Sequence, residues 1–123
     1  MVIEDSQYAR VLLTSELQKH GFHVVAVENA ELGQLEIAQR QPDVIILDLN
    51  LPSLGGEDLG LIVRGTAATA RIPVLIFSGV SETEIRQAVA LTGAQGYVRK
   101  SQDIDGCVQQ LVKKIKVLLA RRR

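Results

Sequence analysis

Short apolar runs rich in Val and Ile alternate along this chain with longer segments of helical period, the signature of βαβ units wound around a parallel sheet. Strands are expected at Val2 to Ile3, Phe22 to Val27, Val44 to Leu47, Val74 to Phe77, and Tyr97 to Val98. The third and fourth are apolar nearly throughout. That pattern belongs to central strands covered by helices on both faces, since half-exposed strands alternate. The segments between them have recognisable helix ends. The first runs from about Ser6 to His20 and stops at Gly21, a residue suited to a left-handed terminus. The second follows Asn29, a good N-cap, and reaches about Arg40 before Pro42. The third, near Glu57 to Arg64, contains the weak helix former Gly60. The fourth opens with Ser81-Glu82-Thr83-Glu84, a capping box, and carries Ile85, Ala88 and Val89 on one face. The fifth, from about Ile104, repeats apolar residues at Val108, Leu111, Val112, Ile115, Leu118 and Leu119. No repeat or flexible linker interrupts this order, so the expectation is a doubly wound five-stranded α/β domain over residues 1–123.

A length of 123 residues with 46% hydrophobic content is enough to bury a core without disulfides or a structural metal. The single Cys107 has no internal partner and is expected to be a small packing residue on the fifth helix. The opening MVIEDSQYAR carries acids where a secretory signal has basic residues, and no apolar run approaches the roughly 20 residues of a membrane span. A soluble, cytoplasmic protein is expected. Basic and acidic residues balance at 14 each, so there is no overall bias toward nucleic acid or anionic lipid. Basic residues do gather at Lys113, Lys114, Lys116 and Arg121 to Arg123, which is read as a solvated helix face. His20 and His23 flank a turn without partner ligands and are expected to face solvent.

In an open parallel sheet, ligands bind outside the carboxyl ends of the strands, where the strand order reverses. Glu4 and Asp5 end the first strand, Asp48 the third, Ser78 the fourth and Lys100 the fifth. If the order is 2-1-3-4-5, strands one and three are neighbours, and the three carboxylates are expected to converge within the strand spacing of about 5 Å. Such repulsion is relieved by a divalent cation, and oxygen-only ligands suit Mg²⁺. Ser78 and Lys100 approach from the other side as a donor and a cation suited to an anion. A phosphoryl group on Asp48 would be stabilised between them, making Asp48 the nucleophile of an aspartyl phosphate. Taken singly, each residue has a plainer reading. Asp48 alone could cap a loop, Lys100 could be a surface charge, Ser78-Gly79 a turn, and Tyr97 a rim residue with a wet hydroxyl.

The ordered set Glu4-Asp5, Asp48-Leu49-Asn50-Leu51-Pro52, Gly56, Arg71-Ile72-Pro73, Ser78-Gly79 and Tyr97-Val98-Arg99-Lys100 resembles the receiver domain of two-component response regulators, including the single-domain chemotaxis regulator. The resemblance spans essentially the whole chain. It implies a flavodoxin-like (βα)5 fold in which Asp48 accepts a phosphoryl group from a sensor histidine kinase or phosphotransfer protein, with Mg²⁺ bound. Glu4 and Asp5 then look like the acidic pair, Asp5 being the direct metal ligand, and Asn50 offers its backbone carbonyl to the metal. Ser78 matches the switch hydroxyl, Tyr97 the switch aromatic, and Lys100 the lysine that meets the phosphoryl group. The output implied is remodelling of the surface formed by the fourth helix, fifth strand and fifth helix. That surface would control a downstream target or effector domain, and homodimerisation is compatible with it. Direct nucleic-acid or membrane binding by this unit is not implied.

Two positions depart from the common pattern. Glu4 stands where Asp is commoner, and Ser101 follows the lysine where many members have Pro. Neither removes a needed group. Of the alternatives, an aspartate-nucleophile phosphatase would want a second acid where Asn50 stands. A mononucleotide binder would want a Ser/Thr/Gly-rich loop where Glu4-Asp5 stands. A phosphorylation-independent pseudo-receiver would have no need of intact acids, hydroxyl and lysine. The expectation is a signalling switch rather than an enzyme.

Overall fold

The computed structural model describes residues 1–52 and 54–121. It has five strands, β1 (Val2–Ile3), β2 (Ala26–Val27), β3 (Ile45–Leu47), β4 (Val74–Ser78) and β5 (Gly96–Arg99). They form one sheet in the order β2-β1-β3-β4-β5, and every pairing is parallel. Five helices alternate with them: α1 (Gln7–Lys19), α2 (Ala30–Arg40), α3 (Gly56–Gly65), α4 (Glu82–Thr92) and α5 (Ile104–Arg121). The expected fold class is therefore observed, strand order included.

Alternate side chains of the central strands feed two separate cores, as the two-residue period of a strand requires. Ile45 and Leu47 of β3 and Val74 and Ile76 of β4 enter one core with Ile37 of α2, Leu59 and Val63 of α3, and Ile85 and Ala88 of α4. Ile46, Leu75 and Phe77 enter the other with Leu13 and Leu17 of α1 and the α5 stripe of Val108, Leu111, Val112 and Ile115. All residues of β3 and β4 are buried, because helices cover both faces.

The helix ends follow local chemistry. Ser6, Asn29 and Ser81 cap α1, α2 and α4 by accepting hydrogen bonds from the backbone N–H of Ala9, Leu32 and Glu84. The Ser81 hydroxyl in turn donates to Glu84 Oε1 at 3.2 Å, tying together the two side chains of the expected capping box. Gly21 takes the expected left-handed conformation at φ 86°. Gly60, the weak point of α3 on propensity, has a packing reason: a Cβ there would lie 2.8 Å from Cγ2 of the buried Thr92 on α4.

The structure corrects one strand. The expected Phe22 to Val27 run is ordered as a strand only at Ala26–Val27. It lies at the sheet edge, and β1 offers only Val2 and Ile3 for it to pair with. Phe22 and Val24 instead pack as partly buried residues against the α1/α5 core. The fifth strand is longer than expected, because its pairing with β4 continues from Leu75↔Gly96 to Ser78↔Arg99. His20 and His23 are exposed, and Cys107 is buried, as anticipated.

Candidate functional site

The sheet register delivers the strand-end residues to one rim. Ile3 pairs with Leu47 and Leu47 with Ile76, so the chains leave β1 and β3 side by side. Backbone hydrogen bonds carry the alignment past the strand ends: Glu4 N–H donates to Val27 O at 3.0 Å, Asp48 N–H to Ile3 O at 3.0 Å, and Lys100 N–H to Ser78 O at 2.8 Å. Glu4, Asp48 and Ser78 are 1%, 5% and 0% exposed. A rim this dry amplifies every charge interaction within it.

Lys100 is the centre of the arrangement. Its ammonium donates to Asp48 Oδ2 at 3.1 Å and makes an ion pair with Glu4 Oε1. It also lies 5.3 Å from the ring centroid of Phe77, whose face favours a cation. The remaining carboxylate oxygens are held by backbone. Asp48 Oδ1 accepts from Asn50 N–H at 3.1 Å, and Glu4 Oε2 accepts from Ser6 N–H at 3.0 Å.

These contacts divide the two buried acids. Burial, and then a hydrogen bond shared with Asp48, push the Glu4 carboxyl up to about 7, although Lys100 and the Ser6 N–H pull the other way. Burial also opposes ionisation of Asp48, but Glu4, the Asn50 N–H and the Lys100 charge overcome it and hold Asp48 below the usual carboxylate range. Burial works against the Lys100 charge too, and its two carboxylate partners more than offset that, raising its pKa. The pair therefore tends to carry a proton on Glu4 while Asp48 stays ionised. An ionised carboxylate is the form that can act as a nucleophile.

The structure brings Glu4, Asp48 and Lys100 together and sets Asp5 apart. Asp5 is exposed, and among the described residues no group of three His, Cys, Asp or Glu side chains is arranged to hold a metal ion. The expected convergence of three carboxylates is thus two buried acids facing an ammonium, with the third acid outside. The physical reason is that Lys100 already supplies the positive charge that the two buried acids need. The donor chemistry still fits a hard divalent cation: the set is oxygen-only, and Asp5 is an exposed carboxylate next to Glu4 in the chain.

Ser78 Oγ is fully buried and makes no hydrogen bond of good geometry, although it lies near enough to Asp48 to help hold that carboxylate ionised. Tyr97 is partly buried against the core under α4, and its hydroxyl points outward to donate to Glu82 Oε1 at 2.9 Å. Gly56 explains the spacing of eight residues after the acid. A Cβ at Gly56 would lie 2.0 Å from the Asp48 carbonyl oxygen, so α3 begins against the backbone of Asp48 itself. Gly56→Ala is expected to cost about 2–3 kcal/mol through forced backbone displacement, measured as a fall in the urea midpoint at unchanged m-value.

Comparison with known proteins decides the family. Residues 1–115 match the model of the response regulator receiver domain. The chain belongs to that family. This receiver domain is 30% identical over 120 residues to the phosphate regulon transcriptional regulatory protein PhoB of Rhizobium meliloti, covering 98% of the chain and 51% of that relative. It thus spans about half the length of PhoB. It is also 30% identical over 120 residues to protein PilH of Pseudomonas aeruginosa, covering 98% of the chain and 96% of PilH. A Francisella response regulator receiver domain superposes with a TM-score of 0.86 at 23% identity, covering 99% of this chain and 96% of that one, which shows the shared fold. Receiver domains interact with histidine kinases or phosphotransfer proteins and with effector domains. Among the described residues, no helix is long and apolar enough to cross a membrane.

Two contributors to the site escaped the sequence reading. Phe77 is one, read only as a core strand residue. Arg10 is the other: its Nη1 donates to the Glu4 and Asp5 carbonyl oxygens, both at 2.9 Å, and so fixes the turn that carries the acids. The sequence signal for Arg10 is slight, a basic residue on the first helical turns after the acidic pair.

Proposed function

We propose that residues 1–123 act as one receiver unit in which Asp48 takes a phosphoryl group from a phosphohistidine of a sensor kinase or phosphotransfer protein, in a Mg²⁺-dependent reaction in the cytoplasm. The observation that carries this reading is the Lys100 ammonium set between Asp48 Oδ2, at 3.1 Å, and the buried Glu4. An Asp48 oxygen forms the new O–P bond as the donor's P–N bond breaks, and the electron pair leaves with the imidazole. Lys100 stays beside the reacting carboxylate and meets the charge that arrives with the phosphoryl group. The Asn50 N–H keeps the carboxylate oriented through Oδ1. When bound, Mg²⁺ would be held by Asp5, Asp48 and the Asn50 carbonyl with Glu4 beside them, and it supplies neutralisation of phosphoryl charge.

Ser78, a buried donor without a well-formed hydrogen bond, is the group we assign to the added phosphoryl oxygens. Its movement, followed by that of Tyr97, would change the surface made by α4, β5 and α5, where a target protein, an effector domain or a second copy docks. The unit stores a signal rather than turning over a substrate. Incubation with acetyl phosphate and Mg²⁺ should add a single phosphoryl group at Asp48, seen by mass spectrometry and absent when the metal is chelated before the donor is added. An Asp48→Asn protein that is labelled equally well would rule the reading out.

A further inference from the structure

We propose that Glu82 is the latch that holds Tyr97 outward, and that release of this latch frees the first turn of α4 while the far end of the helix stays anchored. The inference rests on the phosphorylation reading above and adds to it how the unphosphorylated state is held.

The two ends of α4 are secured very differently. At its C-terminal end the Arg64 guanidinium donates to three carbonyl oxygens, Thr92 at 3.2 Å, Gly93 at 2.7 Å and Ala70 at 3.0 Å. Thr92 is buried, its hydroxyl donates to Ala88 O at 2.7 Å, and it packs on Gly60 of α3 at a separation that admits no larger residue. At the N-terminal end the ties are exposed. Tyr97 Oη donates to Glu82 Oε1 at 2.9 Å, Arg86 donates to that same oxygen at 3.3 Å, and Arg99 Nε donates to Val80 O at 3.0 Å.

Exposed hydrogen bonds compete with water, so these ties can be exchanged for water while the fully buried Ile85, at the end of the first turn, keeps the helix on the core. Ser78 sits four residues before Glu82, fully buried and without a well-formed hydrogen bond, at the start of the short segment leading into α4. A pull on Ser78 therefore acts on the weakly tied end. The Tyr97 hydroxyl, with Arg86 beside it, holds the Glu82 carboxyl below its usual range, so the acceptor is ionised at neutral pH. A charged acceptor makes the stronger kind of hydrogen bond.

Glu82→Ala alone is not decisive, because it also removes an acid from the first helical turn, where acids favour the helix dipole. The test is a double-mutant cycle with Tyr97→Phe, which deletes the same hydrogen bond from the other side. Two quantities are read in all four proteins: amide hydrogen exchange along α4 in the unphosphorylated state, and beryllofluoride affinity in Mg²⁺ by calorimetry. Each single change should speed exchange of the amides at 83–87 and raise beryllofluoride affinity by about fivefold, since a larger fraction of molecules starts in the released state. The double change should add little to either single one, and amides at 89–92 should stay protected in every protein. Additive effects of the two changes, or loss of protection across the whole helix, would overturn the latch. Absence of any beryllofluoride binding when Glu82 and Tyr97 are intact would instead remove the phosphorylation reading, and the latch with it.

Discussion

Lys100→Met should slow phosphorylation of Asp48 by acetyl phosphate by about 10²- to 10³-fold at saturating Mg²⁺, the size of effect seen when a fixed cationic or hydrogen-bonding group is taken from a developing charge. Two consequences of one deletion add here. The ammonium at 3.1 Å from Asp48 Oδ2 disappears, so charge entering the site meets no fixed cation. The Glu4 and Asp48 carboxylates are also left facing each other at a rim where both are almost wholly buried, which raises the proton affinity of the pair and reduces the ionised fraction of Asp48. Lys100→Arg would restore charge without the compact point donor, and is expected to recover only part of the rate. A time course of phosphoprotein formation, by mass spectrometry or phosphate-affinity gel, measures all three proteins. Rates within about threefold of the parent would show that Lys100 is a structural counter-ion and nothing more.

The fold was largely legible because its strongest signals are local. Runs such as Val74 to Phe77 are apolar at every position, as strands buried on both faces are, and the helix caps at Asn29 and Ser81 announce themselves, whereas Ser6, expected as the first helical residue, is the cap itself. β2 was less legible because a strand at a sheet edge takes its length from its neighbour. Nothing within Phe22 to Val27 states that β1 is two residues long.

The site divides in the same way. Glu4, Asp48, Ser78 and Lys100 could be found because a topological rule converts strand ends into a shared place. Contacts made by long side chains across the fold could not. Arg64 reaches carbonyl groups on the far side of two loops, and Tyr97 finds Glu82 fifteen residues away in the chain. Nor did the sequence reading foresee that Lys100 would answer both buried acids and leave Asp5 exposed, since that depends on which charges the rim excludes from water.

The same competition makes the site a source of instability that depends on pH. The Glu4 carboxyl has an ordinary value of 4.5 in the unfolded chain and about 7 in the folded one. Between those values the folded state binds more protons than the unfolded state, so stability falls as pH rises through this window and levels off above about 7. A gap of that size corresponds to something on the order of 3 kcal/mol. Asp48 has the opposite sign: its folded value is depressed, so its contribution is present above its ordinary value of 3.8 and is lost as pH falls below it. On the Glu4 contribution alone, the metal-free domain is more stable at mildly acidic pH than at pH 8. The buried Met1 amino group works the other way, since burial lowers it from 8.0 to about 6 and its contribution therefore rises from pH 6 to 8. Glu4→Gln keeps the shape and removes the Glu4 titration, so in urea denaturation the midpoint of this variant should gain on the parent's as pH rises from 5 to 8 and exceed it at pH 8. Addition of Mg²⁺ at pH 8 should stabilise the parent, by supplying the charge that two ionised carboxylates lack, and should stabilise the Gln variant less. A Gln variant whose urea midpoint keeps the same offset from the parent's at every pH from 5 to 8 in the absence of metal would contradict the assignment of Glu4 as the protonated member of the pair.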